Sequence, residues 1–168
     1  MKIDIVPATD AQSTVRNLFA LYAHDLSEMI GLEIGDDGTF ALPPSIAKDW
    51  KEPDARWHPF LLRADDRLAG FAMVRQLENG TNDMAEFFIL RKFRRSGTGR
   101  QVAIALFDRF PGNWEVRELL ANTAAQAFWR QTIRNYTNGD FDDRQEYFEA
   151  YKREFVVQRF RSKGTHAS

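Results

Sequence analysis

A basic stretch with two glycines is the part of the sequence best suited to bind an anion. Residues 91–100 read RKFRRSGTGR, with five basic side chains and no acidic one. Gly97 and Gly99 allow the backbone to take positive φ angles and to approach a ligand closely. They precede a predicted helix, whose first N–H groups and dipole favour a negative charge, and arginine adds forked donors suited to phosphate. The stretch therefore predicts a phosphate-binding turn.

Three phosphate-binding patterns can be compared with this turn. A P-loop requires GxxxxGK followed by Ser or Thr, which the sequence lacks. The dinucleotide-binding fingerprint needs a third glycine three residues after Gly99, where Val102 stands. The remaining pattern is Gln or Arg, two residues, Gly, one residue, then Gly or Ala. Arg94, Gly97 and Gly99 match it.

The turn and its surroundings resemble the GNAT superfamily of N-acetyltransferases, whose members bind the pyrophosphate of acetyl-CoA in this way. The family shows a strand before the turn, an aromatic residue before the Arg, and an amphipathic helix after the glycines; here the strand contains FFIL and the aromatic is Phe93. A later strand leads to Asn122, which opens a second helix with Ala125 and Trp129 at the family's spacing. The resemblance covers residues 58–135 well and the flanks in outline.

The resemblance implies which residues contact acetyl-CoA. In the family, the end of the strand before the turn hydrogen-bonds pantetheine and polarises the thioester carbonyl. That end corresponds to Phe88–Leu90, with Ile89 as the expected backbone contact. Asn122 is expected both to contact the coenzyme and to cap its helix. The predicted coenzyme-binding residues are Phe88, Ile89, Leu90, Arg94, Arg95, Ser96, Gly97, Thr98, Gly99, Arg100, Asn122 and Trp129.

Glu86 is the predicted general base. It interrupts the otherwise apolar stretch MAEFFIL. An amine acceptor arrives mainly as ammonium and must lose a proton before it attacks the thioester, and a carboxylate can take that proton. Members of the family often place a general base on this strand. The alternative is a glutamate on a sheet face that pairs with an arginine.

Trp129 departs from the family, which commonly has a tyrosine here that protonates the departing thiolate. An indole N–H donates a hydrogen bond but is not an acid near neutral pH. Either Tyr136 supplies the proton, or none is needed because thiols ionise at about pH 8.5. The second alternative is favoured, and Trp129 packs either against the coenzyme or in the core.

The acceptor is expected to be the primary amine of a small molecule, attacked directly in a ternary complex without a metal. Tyr22, Asp25 and Glu28 fall three apart on the first predicted helix, and they predict an acidic, aromatic-edged pocket for a cationic amine. The alternative for these side chains is a solvated polar face. Two other functions remain open: a non-catalytic acyl-CoA sensor, and an interaction or nucleic-acid-binding domain that uses residues 91–100.

The elements that position these residues form an α/β pattern. A first strand at residues 3–6 precedes a helix that runs to Met29 and is capped by Thr9 or Asp10, and a short helix over 44–50 is broken by Pro53. Further strands are predicted at 59–62, 68–74, 84–90, 114–116 and 154–160, with helices at 99–110 and from Asn122. These elements predict a mixed sheet with helices on both faces, and the resemblance to the GNAT superfamily implies that the sheet is mostly antiparallel with a splayed central strand pair.

Length and composition limit the remaining possibilities. The 168 residues suit one domain, spanning 1–168 with a flexible tail at 164–168. A net charge of -1 argues against nucleic-acid binding, and the absence of cysteine excludes disulfides and thiolate sites. Three scattered histidines argue against a metal site, and no signal peptide or membrane-spanning run is evident, so a cytoplasmic protein is expected. Aromatic residues in the final third are compatible with a homodimer.

Overall fold

The computed structural model describes residues 1–48, 50 and 54–164. In this part of the chain the strands are β1 (Ile3–Pro7), β2 (Trp57–Ala64), β3 (Arg67–Gln76), β4 (Asn82–Ile89), β5 (Gly112–Leu119), β6 (Asp142–Phe148) and β7 (Arg153–Ser162). The α-helices are α1 (Gln12–Ile30), α2 (Pro44–Ala47), α3 (Thr98–Arg109) and α4 (Thr123–Thr137). Single 3-10 turns lie at Arg91–Phe93 and Glu149–Tyr151.

The strands form a mixed, mostly antiparallel sheet in the order β1-β2-β3-β4-β5-β7-β6, which confirms the predicted fold class. The β4–β5 pair is parallel, and its register joins Asn82 to Trp114 and Asp83 to Glu115. Both strands have eight residues, so the pairing covers only a short part of each, as expected for a splayed central pair.

The described residues divide into two compact units. Residues 1–74 and 86–94 form the first unit, and residues 75–85 and those from 95 onward form the second. Strand β4 contributes its beginning to the second unit and its end to the first. That the whole chain acts as a single domain stays a prediction.

The core of the first unit lies between α1 and the strands. The buried face of α1 carries Val15, Leu18, Phe19 and Ala23, whose spacings of one, three and four residues place them on one side of the helix. These side chains pack in one cluster with Phe71, Met73 and Phe88 of the sheet. The predicted cap was wrong: α1 begins at Gln12, and Ala11 is an N-cap without a side-chain hydrogen bond.

Several boundaries in the first unit can be compared with the prediction. Asp65 and Asp66 form a two-residue hairpin turn, with φ angles of 47° and 62°. The short helix α2 ends at Ala47, earlier than the predicted Trp50, and Pro53 lies outside the described residues. The predicted tail also falls mostly outside the described chain, since only Gly164 of that range is described.

The second unit is built on the β5–β7–β6 antiparallel ladder. Eight residue pairs join β5 to β7, from Gly112↔Ser162 to Leu119↔Phe155. An aromatic core lies beside this ladder. The ring centre of Phe107, on α3, lies 5.0 Å from that of Trp114 and 4.8 Å from that of Phe160. The polar strand β6 was not predicted, and the strand that follows it, β7, begins one residue before the predicted one.

Candidate functional site

The predicted phosphate-binding turn has the backbone geometry of an anion site at the start of a helix. Arg95 and Gly97 both have left-handed backbones, with φ angles of 60° and 84°. Gly97 is the N-cap of α3, and its carbonyl accepts the Gln101 N–H at 3.0 Å. The N–H groups of the first turn of α3 therefore point back toward residues 95–97. Gly99, the second residue of the helix, does not use the positive φ that glycine allows.

The side chains of this turn differ in exposure. Arg95 and Arg100 are exposed, whereas Thr98 is buried. The Ser96 and Thr98 hydroxyl groups lie 2.8 Å apart, so one donates to the other. Two arginines are thus exposed beside the beginning of α3, as an anion-binding turn requires.

The end of β4 presents one backbone edge to β3 and the other away from it. The N–H of Leu90 donates to the Ala69 carbonyl of β3 at 2.8 Å. Because successive residues of a strand alternate the direction of their backbone groups, the N–H and C=O of Ile89 point away from β3. The Ile89 carbonyl accepts a hydrogen bond from Arg94 Nε at 2.7 Å. Among the three predicted strand-end residues, Ile89 is therefore the one whose N–H is directed away from β3.

Arg94 is also linked to helix α1. Its Nη2 lies 2.6 Å from Asp25 Oδ2, and the Nη2 of Arg91 lies 2.7 Å from Asp25 Oδ1. Burial alone would raise the pKa of Asp25, but the hydrogen bonds from Arg94 and Arg91 outweigh it and hold that pKa below its usual range. The carboxylate predicted to meet an amine is thus engaged by two arginines.

The three predicted acceptor residues of α1 have different surroundings. Tyr22 packs against the sheet, with its ring centre 5.5 Å from that of Phe88, whereas Glu28 is exposed. Burial raises the pKa of the Tyr22 hydroxyl, and the charge of Glu86 raises it further. Tyr22 and Glu86 are therefore electrostatic neighbours within the first unit, and the tyrosine hydroxyl stays protonated.

The helix α4 carries the two remaining predicted coenzyme contacts. Asn122 is its N-cap, and the side-chain oxygen accepts the Ala125 N–H at 3.1 Å, as predicted. Trp129 is 6% exposed, and its ring centre lies 4.9 Å from that of Phe128 and 6.2 Å from that of Phe107. Trp129 thus packs among aromatic side chains of the second unit, and its contact with the coenzyme stays a prediction.

Tyr136, the candidate acid, lies in a hydrogen-bonded cluster. Its hydroxyl donates to Asp108 Oδ1 at 2.7 Å and lies 2.7 Å from Ser162 Oγ. Burial raises the pKa of Tyr136, the hydrogen bond to Ser162 lowers it, and the hydrogen bond and charge of Asp108 raise it. The net result is a raised pKa, so the hydroxyl is a weaker acid than an ordinary tyrosine.

Sequence reasoning missed two buried polar side chains in the second unit, Glu118 and Gln158. Both carboxylate oxygens of Glu118 and both amide atoms of Gln158 are buried without a hydrogen-bond partner among the described residues. Burial raises the pKa of Glu118 to about 9, the charge of Asp143 adds to this, and that of Arg130 opposes it. The sequence does contain a signal for the burial of Glu118. This residue follows Trp114 and Val116 at intervals of two on the same strand, so the three side chains share the buried face.

Metal and membrane features can be considered for the described ranges. Residues 1–48, 50 and 54–164 contain no group of three or more His, Cys, Asp or Glu side chains that could hold a metal ion. In the same ranges, no helix has the length and apolar character needed to cross a bilayer.

Known structures with the same architecture include several acetyltransferases. The acetyltransferase from Thermus thermophilus superposes with a TM-score of 0.67 and 15% identity, covering 96% of this chain and 97% of that one. The ribosomal-protein-S18-alanine N-acetyltransferase from Escherichia coli has a TM-score of 0.59 and 15% identity, with coverage of 99% and 98%. A Bacillus subtilis acetyltransferase in complex with CoA has a TM-score of 0.60 and 11% identity, with coverage of 95% and 99%.

At such low identity these likenesses establish the fold alone. Among proteins of curated function, none matches the sequence significantly. The sequence model of the acetyltransferase (GNAT) family, however, matches residues 19–133, which is more than half of the chain and includes the strand end, the turn and most of α4. The protein therefore belongs to the GNAT acetyltransferase family.

Proposed function

We propose that this protein transfers the acetyl group of acetyl-CoA to a primary amine of a small molecule. Membership of the family makes acyl transfer the expected class of reaction. The observation that carries the proposal is the turn before α3, where left-handed backbones at Arg95 and Gly97 lead directly into a helix N-terminus. That geometry suits a diphosphate, and the related Bacillus subtilis fold is seen in complex with CoA.

The diphosphate would bind the N–H groups of residues 97–100, together with Arg94, Arg95 and Arg100. The hydroxyl groups of Ser96 and Thr98 would add donors at the same turn. Phe88–Leu90 would bind pantetheine, since the Ile89 N–H points away from β3. Asn122 and Trp129 complete the proposed coenzyme contacts, although Trp129 would act mainly through packing.

Catalysis would proceed by direct attack in a ternary complex. Glu86 accepts a proton from the acceptor ammonium, directly or through water, and the free amine then attacks the thioester carbonyl carbon. The Ile89 N–H would donate to the carbonyl oxygen as negative charge develops on it. The adduct nitrogen then loses its second proton to solvent, the C–S bond breaks as the neutral amide forms, and the sulfur leaves as a thiolate.

The departing thiolate would leave without a dedicated acid. The raised pKa of Tyr136 and its hydrogen bond to Asp108 support this alternative over proton transfer from Tyr136. A coenzyme thiol ionises at about pH 8.5, so the thiolate is a tolerable leaving group near neutral pH.

The acceptor would be a cationic amine recognised by α1. Tyr22 is the best supported of the three predicted contacts, because it lies within the electrostatic reach of Glu86. Glu28 is exposed and would meet the cation directly, whereas Asp25 would contribute less because Arg91 and Arg94 offset its charge. No metal is required for this reaction.

Binding of acetyl-CoA tests the coenzyme site. Calorimetry should show binding to the wild type and its loss in Gly97→Glu, which adds bulk and negative charge at the turn. Gly80→Glu is a matched control, because Gly80 also has a left-handed backbone, with φ at 80° against 84° for Gly97. If the control loses binding equally, or if the wild type does not bind, the coenzyme site is wrongly placed.

Release of free thiol tests the reaction itself. With a panel of small primary amines, the wild type should release CoA from acetyl-CoA, and Glu86→Gln should bind acetyl-CoA normally but turn over at least about a hundredfold more slowly. Trp129, at the position where the family commonly has a tyrosine acid, favours a second candidate, a coenzyme-binding module without transfer activity. Tight acetyl-CoA binding with no thiol release from any amine would support that candidate.

A further inference from the structure

The carboxylate of Asp25 joins helix α1 to the segment that follows β4. Each of its oxygens meets a different arginine, Oδ1 with Arg91 at 2.7 Å and Oδ2 with Arg94 at 2.6 Å. The Asp25 side chain is only 17% exposed, whereas those of Arg91 and Arg94 are 76% and 40% exposed. A largely buried acid thus holds two cations whose outer surfaces reach solvent.

Arg94 is held on three sides within the first unit. Its Nε donates to the Ile89 carbonyl, its Nη2 donates to Asp25, and its Cζ lies 5.6 Å from the centre of the Phe88 ring. These contacts fix the plane of the guanidinium group. A guanidinium has five N–H donors, so with the two hydrogen bonds described, three donors remain for another partner.

Asp25 therefore does not compete with an incoming anion for all of the N–H donors of Arg94. It occupies one Nη2 donor, and Ile89 occupies the Nε donor, so the Nη1 group keeps both of its donors. The charge of the group also stays favourable, because two arginines and one aspartate sum to a net charge of +1. An anion can bind Arg94 without displacing Asp25.

We propose that Asp25 is a positioning residue that fixes the guanidinium of Arg94 for the diphosphate of the coenzyme. This inference rests on the proposed function, because it requires coenzyme binding at Arg94. Preorganisation raises affinity because a side chain already held in place loses less conformational freedom when the ligand binds. Without Asp25, Arg94 keeps its charge but loses one of the contacts that set its orientation.

Calorimetric titration of CoA into four proteins tests this role: the wild type, Asp25→Asn, Arg94→Gln and the double variant. Asp25→Asn should weaken CoA binding by about five- to tenfold, the order expected when an arginine loses its orientation. In the Arg94→Gln background, Asp25→Asn should have no further effect, because it acts through Arg94. Asp25→Glu, which retains the charge, should recover part of the affinity.

Asp4→Asn serves as the control for the change of charge. Asp4, on β1, pairs with Lys2 at 3.0 Å, so this variant also removes one carboxylate and one ion pair from the first unit. It should bind CoA as the wild type does. Thermal unfolding of each variant would verify that the titrated protein is folded.

The outcomes separate this inference from the proposed function. If the wild type does not bind CoA, both fail. If the wild type binds and Asp25→Asn binds equally well or more tightly, the coenzyme site stands and the positioning role is wrong. If Asp25→Asn weakens binding equally with and without Arg94, Asp25 acts through the general structure of α1 and the inference is overturned.

Discussion

The carbonyl oxygen of Phe88 lies directly against Gly70, so that a Cβ at position 70 would stand 1.9 Å from it. No side chain fits in that space without moving the backbone of β3 or β4. Phe88 is followed by Ile89, whose N–H is the proposed donor to the thioester carbonyl. The close approach of these two strands therefore sets the position of the proposed oxyanion donor.

Gly70→Ala should consequently reduce both stability and activity. We expect the free energy of unfolding to fall by about 1–3 kcal/mol, the usual cost of overpacking a filled core, and kcat to fall as Ile89 shifts. Urea denaturation and thiol release would measure the two effects. Gly38→Ala is the control, since a Cβ there meets no atom within 4 Å and the substitution costs only the strain of a side chain at a φ of 76°. Equal effects of the two variants would contradict the importance of the Gly70 contact.

Asp83 is the centre of a buried charge cluster in the second unit. Its side chain is 1% exposed, and Oδ2 accepts hydrogen bonds from Arg75 and from Arg117, the latter at 2.9 Å. Asp83→Asn should lower the free energy of unfolding by about 3 kcal/mol, because Arg75 and Arg117 lose the buried carboxylate that they share, while Arg117 keeps Glu115 Oε1 at 3.5 Å. Chemical denaturation would measure this loss.

The matched control for Asp83 is Asp142→Asn. Asp142 pairs with Arg144 at 2.7 Å, but the two side chains are 43% and 67% exposed. Solvent screens such a pair, so the substitution should cost less than about 1 kcal/mol. A similar loss in both variants would mean that burial does not decide the strength of these pairs.

Glu118 should make the stability of the fold depend on pH. Its pKa is raised to about 9 by burial in the folded protein, so folding takes up a proton whenever the unfolded chain has lost it. The stabilisation from the neutral carboxyl is fully present below an unfolded pKa of about 4.3 and is lost as the pH rises toward 9. Glu118→Gln cannot ionise and should escape this loss.

Urea denaturation at pH 5 and pH 8 would test the prediction. The free energy of unfolding of Glu118→Gln, relative to that of the wild type, should rise by on the order of 2 kcal/mol from pH 5 to pH 8. The reason is that an unpartnered buried acid is costly to ionise. Glu154→Gln, on an exposed stretch of β7, should show no comparable gain. The prediction fails if the two variants change in parallel.

Tyr136→Phe decides whether a tyrosine acid is used. Because the hydroxyl donates to Asp108 and its pKa is raised, we expect kcat to fall by less than about threefold, a loss far below that of a missing general acid. The variant should lose about 1 kcal/mol of stability with its hydrogen bonds. A hundredfold loss of kcat with normal acetyl-CoA binding would assign Tyr136 the role of acid.

Most of the helices and strands could be predicted from local sequence patterns. The cap at Asn122 was predicted from the residues around it, and the structure agrees; the spacing of the buried residues in α1 and the Asp65–Asp66 turn are likewise local features of the chain. The start of α1 was less predictable, because Thr9 and Asp10 favour an N-cap but the helix begins at Gln12. Strand β6 was missed since its polar residues lack the alternation of a half-buried strand.

The candidate site was predictable only where it depends on adjacent residues. The turn at Gly97 is a local feature, and its left-handed backbone agrees with the prediction. The pairing of Asp25 with Arg94 joins residues 69 positions apart, and no local pattern indicates it. Glu86 and Tyr22 are also brought together by tertiary packing, so their electrostatic coupling emerges only in the folded chain.

The polar character of β6 has a consequence for behaviour at high concentration. This strand ends the sheet order, and four of its seven residues, DDRQEYF, carry charge. A charged edge discourages another chain from adding a strand through backbone hydrogen bonds. The protein is thus protected at this edge against ordered aggregation, and any homodimer would be expected to form through side-chain surfaces elsewhere.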